Sequence, residues 1–229
     1  GIHSNIRGVV IEALAERPRH ARKLLAAAGK GALPQGLLTP YLIRQIQLFG
    51  DPEIDKLLRK VFPAVALIGA DRLAYIAKWS EELAPERLEK ADPARGRKLF
   101  AETCGACHRM FGEGGTAGPE LTGAQRGELG YWLENILDPS GIVPQNFRMS
   151  VVRLKDGRVL TGVLGLERGR TITLRTPKEE VLVDRSLVVE VKPTALSLMP
   201  GGLLEQLKPE QVRDLVSYLM SPAQVKAAD

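Results

Sequence analysis

The chain contains two cysteines, Cys104 and Cys107, and His108 directly follows the second in the segment CGACH. Three chemistries use cysteines at this spacing: a dithiol redox pair, part of a zinc site, and covalent attachment of a c-type haem. In the last case both thiols form thioethers to the haem and the adjacent histidine ligates the iron. The surrounding residues must decide among the three.

The position of the cysteines disfavours the first two chemistries. A redox dithiol lowers its thiol pKa at a helix N-terminus, whereas Cys104 follows GRKLFAE, a helical segment whose C-terminal dipole disfavours a thiolate. A structural zinc site needs four ligands, and the only other histidines, His3 and His20, are far away in the sequence. Haem attachment needs only residues that are present here.

Composition limits the class of protein. The 229 residues allow one large domain or two small ones, and a hydrophobic content of 44% is ample for a packed core. The net charge of +5 is spread thinly, without a basic run that would bind nucleic acid. No apolar stretch reaches the ~20 residues that cross a bilayer. The first ten residues do not read as a signal peptide, so we expect that any export signal has been removed.

The elements around CGACH are mainly helical. Residues from Ser4 to about Leu83 repeat apolar residues at helical spacing, and Thr39, Asp51 and Asp92 each precede a proline, which is a typical helix start. This recurrence suggests a helical repeat array. A last helix, PEQVRDLVSYLM, places apolar residues on one face: Val212, Leu215, Val216 and Leu219.

Residues 149–192 differ from the rest. They are rich in Val, Leu and Thr, alternate in part, and are interrupted at Asp156-Gly157 and Gly169, which predicts four or five short strands inserted between helices. The length and spacing of these predicted strands are typical of a small Sm-like or SH3-like barrel. No aromatic residue lies between Arg148 and Lys192 to stack on a base, so we expect a structural role, shielding a haem or offering a docking face for an electron donor.

A family resemblance follows from the order of these motifs. GRKLF, CxxCH, GPEL, MP and a closing helix with Tyr218 together resemble a class I cytochrome c. The resemblance implies that Pro119 offers its carbonyl to His108 and that Met199 is the second ligand of the iron. It also implies that Gly96 and Phe100 pack against Tyr218.

A narrower resemblance covers nearly the whole chain. HEAT-like helices together with GRKLFAETCGACH, ILDPS, KDGRVLTGVL, SLMPGGLLEQL and PEQVRDLVSYL resemble the Planctomycetes–Verrucomicrobia type haem-binding domain. That domain usually ends long secreted or membrane-associated dehydrogenase-like proteins, so the resemblance implies a catalytic domain upstream. It predicts a mainly α fold: a HEAT-like helical domain at 1–90, then a class I cytochrome c domain at 91–229 with a β insertion at about 149–192.

Other candidate residues have equal alternatives. Arg126 is a partner for a haem propionate or an ordinary surface arginine, and Tyr131 and Trp132 either contact the haem edge or pack in the core. The loop composition LMPGG favours Met199 as a ligand. The remaining methionines fit less well: Met149 suits a strand core, Met110 is too close to His108, and Met220 suits helix packing.

These observations predict one covalent haem c with ligands His108 and Met199. An iron with both positions filled has none open to substrate, so we expect a non-enzymatic relay of single electrons between a fused or partner dehydrogenase and a respiratory acceptor. Without Met199 on the iron, the site would instead suit ligand sensing or peroxidase-type chemistry. A third possibility makes the N-terminal helices a protein-binding repeat. Covalent haem attachment implies a periplasmic or exported bacterial location.

Overall fold

The computed structural model describes residues 2–34, 37–62, 72–141, 143–166 and 169–226. Within these ranges the chain forms nine α-helices and seven β-strands. The helices are α1 (Ile2–Ala15), α2 (Pro18–Gly29), α3 (Pro40–Gln47), α4 (Pro52–Val61), α5 (Arg72–Glu82), α6 (Pro85–Leu88), α7 (Pro93–Thr103), α8 (Leu129–Leu137) and α9 (Pro209–Leu219). The strands are β1 (Arg109–Met110), β2 (Glu113–Gly114), β3 (Arg148–Leu154), β4 (Val159–Leu164), β5 (Thr171–Arg175), β6 (Glu180–Asp184) and β7 (Val188–Ser197).

The prediction of a mainly α fold is wrong. The structure is 46% helical and 18% strand, and β3 to β7 form a five-stranded antiparallel sheet. The predicted strand-rich segment is confirmed, but the sheet extends through Ser197 because the end of β7 still pairs with β3, with Ser197 opposite Arg148. A sheet of this size makes the chain a mixed α and β protein.

Local signals start the helices as predicted. The Asp51 carboxylate accepts hydrogen bonds from the backbone N–H groups of Glu53 and Ile54 at the start of α4. Asp92 does the same for α7, with 2.8 Å between its Oδ1 and the nitrogen of Ala94. Each side chain satisfies N–H groups that have no partner inside the helix.

The chain divides into two compact units, each made from two stretches of sequence. Unit 1 comprises Gly1–Leu67 and Val143–Pro200, and unit 2 comprises Ile68–Ile142 and Gly201–Asp229. The predicted boundary between residues 90 and 91 separates a helical domain from a cytochrome c domain along the sequence. A division into compact units does not test that boundary, so it stays a prediction.

Unit 1 joins the first four helices to the sheet through one apolar core. Val151 of β3 and Val159 of β4 belong to the same buried cluster as residues of α1 to α4. Polar bonds reinforce this contact: the Tyr41 hydroxyl donates to the Thr161 carbonyl at 2.8 Å. The helical members of the cluster are Ile11, Ala15, Ala21, Leu24, Leu25, Ala28, Leu42, Ile43, Ile46, Ile54 and Leu58.

In the sheet of unit 1, β3 to β6 form an antiparallel meander and β7 pairs with the free edge of β3. Its strand order is β6-β5-β4-β3-β7, and a 3₁₀ turn at Arg185–Leu187 leads from β6 into β7, which returns to pair with β3. A second small cluster lies within the sheet itself: Val152, Leu154, Leu160, Leu174 and Val183. Met149 of β3 is fully buried, which confirms its predicted place in a strand core.

Unit 2 is organised by the crossing of α7 and α9. A Cβ atom at Gly96 would lie 2.0 Å from the Asp214 carbonyl oxygen, so only glycine permits this close approach. One turn on, the Phe100 and Tyr218 rings contact each other with 5.5 Å between centroids. The predicted packing of Gly96 and Phe100 against the last helix is confirmed. None of the described helices is both long and apolar enough to span a membrane.

Candidate functional site

Helix α7 delivers the CGACH segment. Cys104 caps the helix, and its backbone N–H donates to the Phe100 carbonyl at 2.8 Å. Because Phe100 is fixed against Tyr218, the end of α7 has a defined position. The predicted placement of the cysteines at a helix C-terminal end is confirmed.

Backbone hydrogen bonds then fold residues 104–118 into a compact loop. The His108 N–H donates to the Cys104 carbonyl at 2.9 Å, and the Gly118 N–H donates to the Cys107 carbonyl at 2.8 Å. The Gly115 N–H donates to the Gly105 carbonyl at 2.8 Å. These bonds hold both cysteines and the histidine on one short stretch of fixed backbone.

The two cysteines are free thiols, and each is partly buried. Burial raises the pKa of Cys104 to about 12, with a smaller effect from Cys107. Burial also raises the pKa of the Cys107 thiol. Both thiols are therefore protonated at neutral pH, which disfavours the thiolate that dithiol exchange requires.

Metal coordination by the side chains alone has little support. Among the described residues, no group of three or more His, Cys, Asp or Glu side chains could hold a metal ion.

The His108 ring is oriented by Pro119. Its Nδ1 lies 2.9 Å from the Pro119 carbonyl oxygen. A carbonyl only accepts hydrogen bonds, so Nδ1 carries the proton and Nε2 keeps its lone pair. Burial lowers the pKa of His108, an effect that the bond to Pro119 partly offsets, so the imidazole is neutral at neutral pH. This is the protonation state and tautomer of a metal ligand whose other nitrogen is fixed by a backbone carbonyl.

Gly118 lies directly against the same ring. A Cβ atom at this position would lie 2.7 Å from His108 Cε1 and 3.0 Å from Nδ1. Such distances are shorter than real contacts, so any side chain would displace the imidazole. Sequence reasoning named Pro119 but missed Gly118, although the GTAGPE segment carried the signal.

Arg126 is engaged with protein groups. Its guanidinium donates to the carbonyl oxygens of Leu121, Thr122 and Ser221, with 2.8 Å to the last of these. It also stacks over the Phe111 ring, 4.3 Å from the centroid. These contacts fix the loop after Pro119, and contact of Arg126 with a propionate stays a prediction.

Tyr131 and Trp132 lie on α8 with their rings edge to face, 5.3 Å between centroids. Trp132 is 3% exposed, and its indole N–H is buried without a hydrogen-bond partner among the residues that the structure describes. A buried unpaired donor is costly in a folded protein, which makes this N–H a candidate donor to a bound group. Tyr131 is half-buried.

Met199 belongs to unit 1, whereas His108 belongs to unit 2. Met199 is half-buried after the end of β7, and its N–H donates to the Ser197 hydroxyl at 3.1 Å. Met110 is fully buried next to the CGACH segment, and Met220 caps α9. The ligand role of Met199 stays a prediction.

Comparison with known families identifies the part of the chain that holds this site. Residues 93–150 match the family model for cytochrome c. This chain carries a cytochrome c-like domain. The matched residues include Cys104, Cys107, His108 and Pro119, and a cytochrome c domain indicates a haem c and electron transfer. No curated protein matches the chain.

Proposed function

We propose that the chain is a mono-haem c-type cytochrome that relays single electrons and is not itself an enzyme. The observation that carries the proposal is the 2.9 Å contact between His108 Nδ1 and the Pro119 carbonyl, next to two free thiols on the same loop. This arrangement leaves His108 Nε2 as a neutral ligand beside two attachment points. The cytochrome c match over residues 93–150 supports the same conclusion.

The residues of unit 2 fit a covalently bound haem. Cys104 and Cys107 would hold it through thioethers, and His108 would bind the iron through Nε2. The buried indole N–H of Trp132, which has no partner in the described part of the chain, is available to a propionate oxygen. When bound, the haem supplies a one-electron couple. The protein's part is to orient His108 through Pro119 and to bury the thiols and the imidazole.

We propose Met199 as the second ligand of the iron. The support is the sequence SLMPGG, which resembles the ligand loop of class I cytochromes c, and the partial exposure of Met199, compared with full burial of Met110 and Met149. A thioether ligand raises the reduction potential relative to a second histidine. With both positions filled, the iron has none open to substrate.

The location and redox partners of the protein are proposed from its resemblance to one type of haem-binding domain. We propose that the chain is of the Planctomycetes–Verrucomicrobia type, with α1 to α4 as HEAT-like helices, and that it works outside the bacterial cytoplasm. The electron donor would be a fused or partner dehydrogenase, and the acceptor a respiratory component. The support is the motif order in the sequence.

Optical spectra of the haem-loaded protein, oxidised and reduced, test the ligand set. In the oxidised wild type we expect the weak long-wavelength band of an iron–thioether bond, and we expect Met199→Ala to abolish it. Met220→Ala is the control and should keep the band. A wild type that lacks the band and binds carbon monoxide readily would contradict the relay. It would favour the five-coordinate alternative of ligand sensing or peroxidase-type chemistry.

A further inference from the structure

Glu205 is a titratable side chain of unit 2 that the proposed haem site does not use. It lies in a 3₁₀ turn, Leu204–Gln206, where Leu204 is 1% exposed and Leu203 is 9% exposed. Its Oε1 accepts a hydrogen bond from the Trp79 indole at 3.4 Å. Its Oε2 is buried and has no partner among the described residues. One oxygen is therefore fixed, and the other is free to hold a proton.

The surroundings of Glu205 favour the neutral carboxyl. Burial raises the pKa of Glu205 above its ordinary value, and a bond from its own backbone N–H only partly opposes this. Trp79, which is its side-chain partner in the described part of the chain, is 3% exposed and neutral. The elements next to Trp79 carry several charged side chains, none of which is a cause of this shift: Lys78, Glu81 and Glu82 on α5, Glu134 on α8 and Arg213 on α9.

Two of these charged side chains pair with each other, and a third lies over the Trp79 ring. Glu82 accepts a hydrogen bond from Arg213 at 3.0 Å, and Lys78 lies over the Trp79 ring, 5.3 Å from its centroid. Among the described residues, no basic side chain pairs with Glu205 to hold it ionised. A carboxyl in this state responds to a change of charge elsewhere in the same unit.

We propose that Glu205 takes up a proton when the haem on Cys104 and Cys107 is reduced, and releases it on oxidation. The electron comes from the donor protein and goes to the iron. The proton comes from water and goes to Glu205 Oε2, where the O–H bond forms. On oxidation the O–H bond breaks, the proton returns to water and the electron passes to the acceptor. This inference rests on the proposed function.

The expected size of the effect follows from Coulomb's law. Glu205 and His108 belong to the same unit, and a unit of about 100 residues has a radius of gyration of about 13 Å. At a separation of that order and an effective dielectric constant of about 20, one elementary charge changes the proton affinity of a carboxyl about tenfold. For a one-electron couple, a tenfold change corresponds to about 59 mV.

The sign is fixed by electrostatics. An ionised Glu205 disfavours the added electron, and a protonated Glu205 does not. The midpoint potential is therefore highest at low pH, and it falls as pH rises through the carboxyl pKa of the oxidised protein and then of the reduced protein. Because burial raises this pKa, the fall lies above the range in which an ordinary glutamate titrates.

The test is the midpoint potential of the haem-loaded protein as a function of pH, for wild type, Glu205→Gln and Glu210→Gln. Glutamine keeps an oxygen for the Trp79 N–H but cannot ionise, so Glu205→Gln should lack the fall of about 59 mV and stay at the upper level. Glu210 is exposed on α9, and Glu210→Gln should follow wild type. Haem propionates titrate in all three proteins, so the difference between the curves isolates Glu205.

The outcomes separate this inference from the proposed function. If the protein is reduced reversibly and Glu205→Gln follows wild type at every pH, the proton uptake at Glu205 is overturned and the relay stands. If the chain holds no haem or shows no reversible one-electron reduction, both are overturned.

Discussion

The two units of this chain both bury apolar side chains, and they differ in that unit 2 also holds the candidate site. Unit 1 relies on one large apolar cluster that joins four helices to a sheet, with Ile46 and Leu25 fully buried within it. Unit 2 places its chemistry on a loop held by backbone bonds and by glycines at positions where no side chain fits, Gly96 and Gly118. From this difference we expect core volume in unit 1 to control the free energy of unfolding. We expect close backbone contacts in unit 2 to control the geometry of the candidate site.

Removing core volume from unit 1 should have the largest effect on stability. Ile46→Ala deletes part of a fully buried side chain and should lower the free energy of unfolding by about 2–5 kcal/mol. Urea denaturation followed by far-UV circular dichroism measures this change. In the absence of urea, the haem spectrum should stay that of wild type.

Ile6→Ala on α1 is the matched control for that substitution. Ile6 is 55% exposed, so its truncation should change the free energy of unfolding by less than about 0.5 kcal/mol. Equal losses for the two variants would contradict the assignment of the core of unit 1.

Adding one carbon beside His108 should have a smaller effect on stability and a direct effect on the haem. Gly118→Ala would place a Cβ 2.7 Å from His108 Cε1, so the ring must tilt away from the Pro119 carbonyl. We expect a loss of about 1–3 kcal/mol, typical of overpacking, together with a shifted midpoint potential and altered electron paramagnetic resonance of the oxidised iron.

Gly123→Ala tests whether that effect is specific to position 118. A Cβ atom at Gly123 meets no atom within 4 Å, so this variant should match wild type in potential and in spectrum. If Gly118→Ala also matched wild type, the contact between Gly118 and the ring would have no role in orienting His108.

Sequence reasoning succeeded where the information is local. The spacing of Cys104, Cys107 and His108 and the cap residue Asp92 belong to short motifs whose geometry follows from their neighbours. The contact between Phe100 and Tyr218, which are far apart in the sequence, was predicted through a family resemblance. Pro119 was named through a family resemblance, and its carbonyl lies within hydrogen-bond distance of His108.

Sequence reasoning failed where the information is long-range. The strands between residues 149 and 192 were expected from composition, but nothing in their letters shows that Val151 and Val159 pack with α1 to α4, or that Tyr41 donates to Thr161. Such contacts join residues more than a hundred positions apart, and they form only when the fold brings two apolar surfaces together. The fold class was wrong for the same reason, because the sheet was taken as a small insertion.

The bond between Trp79 and Glu205 was missed for a related reason. Both residues look ordinary in sequence, Trp79 in a helix core and Glu205 in a polar turn. Only the fold brings the indole N–H to the carboxyl group of Glu205 and buries its second oxygen.

The most direct test of the central claim is the intact mass of the protein produced by a bacterium that can export it and attach c-type haem. We predict that the wild-type mass increases by that of one haem, held through a bond that survives denaturation, and that Cys104→Ser together with Cys107→Ser abolishes the increase. A mature wild-type protein with two free thiols and no added haem would contradict the account.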